Sequence, residues 1–104
     1  MLEIKTNLID NIIILDISGR IDALNSTRLQ NQIDATIDSS KLLVLRMADV
    51  NYISAAGLRV LRSLQQDTGQ VRIIEPSDRV VEVMEMTGLD AVYKLYNSVD
   101  DIVI

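Results

Sequence analysis

Cysteine and histidine are both absent from this chain of 104 residues. Without cysteine there is no disulfide, thiol nucleophile, iron–sulfur ligand or thiolate zinc site. Without histidine, the commonest general base and the commonest metal ligand are missing too. Most enzyme classes fall away on these two absences, and no cofactor is implied. Aromatic residues are scarce, with only three tyrosines, and the net charge is -5. That is the opposite of the basic, base-stacking surface that nucleic acids require. Long apolar runs are lacking as well. Hydrophobic residues make up 48% of the chain, but none of their blocks approaches the roughly 20 residues that cross a bilayer. Residues 1–6 include Glu3 and Lys5 among apolar positions, unlike a secretory signal, so the expected location is cytoplasmic. The acidic balance reads as solubility, or as one side of a docking surface whose partner is basic.

What is present fits one domain over residues 1–104, large enough for a single α/β core. Leu2, Ile4, Thr6 and Leu8 alternate with polar residues as in a half-buried strand. Asp10-Asn11 then offers a tight turn into the run Ile12 to Leu15, which predicts a hairpin. Gly19 and the polar stretch after it break the pattern. The stripe Leu29, Ile33, Ile37 predicts a helix over residues 25–38, with Asn25 or Ser26 accepting from its free N–H groups.

Leu42 to Leu45 reads as a central strand and residues 47–52 as a loop. A second helix is expected from about Ala55, closed by Thr68-Gly69, and Val71 to Ile74 forms the next strand. Pro76-Ser77-Asp78 opens a third helix carrying Val80, Val83, Met84 and Thr87 on one face and ending at Gly88. A last strand over residues 92–96 and a brief capped helix from Ser98, with Asp101 completing the box, finish the chain. The order is β-β-α-β-α-β-α-β-α. It describes an α/β fold with a mixed, mostly parallel sheet after an N-terminal hairpin, and with helices packed against it. No repeat, linker or low-complexity tract divides it.

Two loops precede helices at the carboxyl ends of strands, where helix N-termini offer free N–H groups. One is Gly19-Arg20-Ile21-Asp22-Ala23-Leu24-Asn25-Ser26 and the other Asp49-Val50-Asn51-Tyr52-Ile53-Ser54-Ala55-Ala56-Gly57-Leu58. Taken alone, Ser54 is an N-cap, and the small Ala55-Ala56-Gly57 turn lets the chain pass close to a neighbour. Ser54 as a nucleophile would need a base, and neither a Ser-x-x-Lys pattern nor a nucleophile elbow occurs. Gly57 stands outside any phosphate-cradling motif. Asp22, Asp49, Asp100 and Asp101 lack the spacing of a calcium loop and read as solvated or capping carboxylates. Met84 fits the buried stripe, whereas Met86 falls off it and is available for contact.

Together the segments Gly19-Arg20-Ile21-Asp22-Ala23 with Asn25, Tyr52 to Leu61, and Val83-Met84-Glu85-Met86-Thr87-Gly88-Leu89-Asp90 strongly resemble the STAS domain of bacterial anti-sigma factor antagonists. The resemblance spans essentially the whole chain. It implies a non-enzymatic partner-switching module that binds an anti-sigma factor, itself a serine kinase with an ATP site. A PP2C-type phosphatase is the further partner it implies, and the free protein is expected to be a monomer. Phosphorylation of such an antagonist releases the kinase. Aligned backwards from Gly57, the phosphoacceptor position is Ala55, which has no hydroxyl, and Ser54 is the alternative acceptor one residue earlier. Ala55 marks an engineered lock, a natural antagonist outside kinase control, or a transfer of the role to Ser54. The partner surface implied is Asp22, Asn25, Ser54, Ala55, Gly57, Leu58 and Arg59, with Asp22 close to the acceptor position. STAS-like domains also occur in sensors, so a small-ligand or nucleotide-sensing role is the alternative.

Overall fold

The computed structural model describes residues 1–68 and 70–102. Strand β1 (Leu2–Ile9) turns at Asp10, which takes a positive φ of 51°, into β2 (Ile12–Ile21). Helix α1 (Ser26–Thr36), strand β3 (Leu42–Ile53), helix α2 (Ala55–Thr68), strand β4 (Val71–Ile74), helix α3 (Asp78–Thr87) and strand β5 (Leu95–Tyr96) follow. The strands form one five-stranded sheet in the order β1-β2-β3-β4-β5, with β1 antiparallel to β2 and the other pairs parallel. The sequential order follows from short crossovers of one hand, each laying its helix back on the sheet.

Alternation along the strands divides the sheet into two faces. Ile13, Leu15 and Ile17 of β2, Leu43, Leu45 and Met47 of β3, and Val71 and Ile73 of β4 meet the helices in the main core. There they bury Leu29 and Ile33 of α1, Leu61 and Leu64 of α2, and Val80 and Met84 of α3. The opposite face holds the smaller cluster Ile14, Val44 and Ile74, with Tyr96, Val99 and Ile102 beside it. Next to that cluster Arg46 reaches Asp16 at 2.9 Å, Glu75 at 3.3 Å and Asp49 at 3.6 Å, joining β2, β3 and the end of β4.

Both central strands are longer than the sequence pattern predicts. β2 runs through Gly19 to Ile21, and β3 continues through residues 47–52, which read as a loop. The cause is a pair of register shifts, between Asp16 and Ser18 and between Gly19 and Arg20, where β3 carries extra residues. Burial along this part of β3 therefore recurs at Met47, Val50 and Ile53, three residues apart, and the period of two disappears. Gly19 is required where β2 passes the chain start. Its φ is +94°, and a Cβ there would run into the Met1 carbonyl oxygen.

Other boundaries also move. Helix α1 stops at Thr36, because Ile37 is extended at φ -62° and ψ 138° while its N–H still reaches the Ile33 carbonyl. Helix α3 opens within Pro76-Ser77-Asp78 as expected, with Ser77 as the N-cap whose Oγ accepts from Val80 N, and it ends as expected at Gly88, left-handed at φ 78°. Gly69 lies outside the described residues. The expected strand over residues 92–96 shrinks to Leu95–Tyr96, since Leu89–Ala91 forms a 3-10 turn. Tyr93 is drawn into the core, where its hydroxyl donates to the Leu61 carbonyl at 2.7 Å. At the chain end Ser98 makes no side-chain cap, and Val99–Asp101 is a single 3-10 turn in place of the expected capped helix.

Candidate partner-docking site

Parallel β2 and β3 end side by side, Ile21 opposite Ile53, and the N–H of Ser54 donates to the Ile21 carbonyl at 2.8 Å. This bond ties the two loop exits together and brings Asp22 beside the start of α2. The sequence-derived candidates therefore converge on one end of the molecule.

Residues 22–25 form a reciprocal clasp. Asp22 Oδ1 accepts from the N–H groups of Leu24 at 3.0 Å and Asn25 at 2.9 Å. Asn25 Oδ1 accepts from Asp22 N at 2.8 Å, and Asn25 Nδ2 donates to the Arg20 carbonyl at 2.8 Å. Asn25 thus occupies the N-cap place of α1 but spends its side chain on the loop, contrary to the expected capping bond. Ser26 does not cap either: it is buried and its Oγ donates back to the Ala23 carbonyl. Side-chain acceptors competing for local N–H groups are the ordinary reason that Asp and Asn order loops.

At the second loop Ser54 caps α2 as expected, its Oγ accepting from Gly57 N at 3.2 Å. Ala55, the first residue of α2, is exposed, whereas Ser54 is half-buried and committed to its cap. Gly57 is buried, and a Cβ there would lie 2.6 Å from Ile21 Cγ2 and 2.9 Å from Ile53 Cγ1. It is a spacer that lets α2 settle on the strand ends. Leu58 is half-buried against the core, and Arg59 is exposed one turn beyond Ala55. Asp22 and Asn25 are half-buried within their clasp.

Two features of this surface escaped the sequence reading. Leu24 is 93% exposed at the tip of the clasp, and Arg20 stacks over the Tyr52 ring at 4.3 Å. The signal for Leu24 was an apolar residue in a polar loop, belonging to neither neighbouring periodicity. The Arg20–Tyr52 pair was hidden because it depends on the shifted register of β2 against β3. A concavity of about 350 Å³ lies away from this surface, between the α1–β3 and α2–β4 connections, lined by Ile37, Asp38, Lys41 and Gln70 among others. Among the described residues no group of acidic side chains is arranged to hold a metal ion, and no helix is long and apolar enough to cross a membrane.

Known proteins share both the sequence and the shape. The putative anti-sigma factor antagonist BtrV of Bordetella bronchiseptica is 28% identical over 102 residues, covering 93% of this chain and 88% of its own. A crystal structure of an anti-sigma factor antagonist from Mycobacterium paratuberculosis superposes with a TM-score of 0.86 at 22% identity, over 97% of this chain and 90% of that one. The antagonist SpoIIAA in its unphosphorylated form gives a TM-score of 0.72 at 14% identity, over 96% and 93% of the two chains. The STAS domain model matches residues 3–102, and the chain belongs to the STAS domain family.

Proposed function

We propose that this chain is an anti-sigma factor antagonist: a binding module without turnover of its own that captures an anti-sigma factor in the cytoplasm and so frees a sigma factor. Its relatives' names support that role. The partner expected is an anti-sigma factor of the serine-kinase class with an ATP site, and a PP2C-type phosphatase would reverse phosphorylation where it occurs. One observation carries the reading: Ala55 stands exposed at the first position of α2, beside the clasp of residues 22–25. A phosphate at such a place brings about -1.5 to -2 charge, tolerated by a helix N-terminus but not by an acidic or apolar surface pressed against it. Ala55 cannot receive that charge, so the chain stays competent to bind while the kinase is active.

A phosphorylation assay by mass spectrometry, with ATP and the partner kinase, tests this. Ala55→Ser is expected to gain one phosphate and lose the complex, while the chain itself stays unmodified. Phosphate on the chain itself, lost in Ser54→Ala, would move the acceptor to Ser54. If no form is bound or modified, the antagonist reading fails. A small-ligand sensing role would instead use the concavity near Lys41, and stabilisation of the fold by nucleotides or anions would reveal it.

A further inference from the structure

The exposed face of α2 beyond Ala55 carries cations in a molecule whose net charge is negative. Ala55, Arg59 and Arg62 are spaced four and then three residues apart on α2, so they share one face, and all three are exposed. Neither arginine makes an ion pair or hydrogen bond among the described residues. Asp67, near the far end, is the only carboxylate in α2, and the Asp22 carboxylate is turned inward onto the N–H groups of Leu24 and Asn25. Arg20 adds a further cation over Tyr52 at the end of β2. In a chain of net charge -5, the exposed face of α2 thus carries two unpaired cations and no carboxylate before Asp67.

At the same end Leu24 projects a fully hydrated isobutyl group from a loop fixed by side-chain hydrogen bonds. A leucine left in water contributes nothing to folding, and a loop ordered in advance loses little freedom when it docks. A preordered apolar anchor and unpaired arginines on the neighbouring helix are the residue types that carry binding hot spots. Resting on the antagonist reading above, we propose that the partner presents an apolar socket that takes Leu24, bordered by carboxylates that meet Arg59 and Arg62. The partner's contact surface is thus acidic, contrary to the basic partner that the chain's overall charge suggested. It is also a surface from which a phosphate at position 55 would be repelled.

The test uses the intact protein and the purified anti-sigma factor encoded in the same genome, with ATP present, titrated calorimetrically at low and high salt. Leu24→Ser is expected to weaken binding about tenfold or more at both salts, as loss of a buried anchor does. Affinity of the unmodified protein falls as salt rises, and Arg59→Glu weakens binding most at low salt. Lys5→Glu, the same charge change on the distant edge strand, leaves affinity unchanged. Unaltered binding by Leu24→Ser, tighter binding by Arg59→Glu, or affinity indifferent to salt would each overturn the proposed surface while leaving the antagonist role intact. If the unmodified protein binds no anti-sigma factor, both fall.

Discussion

Ser54, Ala55 and Gly57 are neighbours with three different duties. Ser54 closes the helix start, Ala55 faces solvent, and Gly57 makes room for Ile21 and Ile53. Gly57→Ala should therefore cost about 1–3 kcal/mol, the usual range for overpacking a tight contact, read as a lowered denaturation midpoint with unchanged slope. Tyr93 supplies a pH test. Burial pushes its hydroxyl well above the ordinary tyrosine value of about 10. Since the folded pKa is raised, the associated stability is complete below that ordinary value and is lost as pH climbs beyond it. Tyr93→Phe should be less stable near neutrality, through loss of the bond to the Leu61 carbonyl, but should show a smaller alkaline decline. At this scale Ser54 and Gly88 were legible because caps are local. Asn25 was not, because its acceptor was claimed by the loop on the other side.

Among the elements, the main gap between sequence and structure lies in β2 and β3. Their bulges change the spacing of buried residues, so a rule of alternation sees a loop where a strand continues. The extension matters for the site, since it carries Ile21 and Ile53 to the same level and aligns the two loops. Arg46 joins this region from the other face, its guanidinium held protonated by its bonds to Asp16 and Glu75. Arg46→Met would leave Asp16, Asp49 and Glu75 facing one another without their shared cation. A loss of about 1 kcal/mol is expected for so partly exposed a network, and added salt should recover part of it by screening the carboxylates. Stability that is unaffected by the substitution would show that the network contributes nothing.

At the level of the whole molecule, alternating strands and helices after a hairpin were enough to derive a mixed, mostly parallel sheet, whereas the strand order came from the structure. The last residues were harder, because Tyr93 and Leu89 fold back into the core and leave a strand of only two residues. Overall charge does not describe every face, since α2 presents Arg59 and Arg62 in a chain of net charge -5. The function proposed depends on one face remaining uncharged at residue 55 in the presence of an active kinase. The direct measurement is complex formation with the purified anti-sigma factor after prolonged incubation of both proteins with ATP, alongside release of the sigma factor. The account predicts a stable complex and free sigma factor for this chain, and decay of both for Ala55→Ser. A complex that dissociates equally in both proteins, or that never forms, would contradict it.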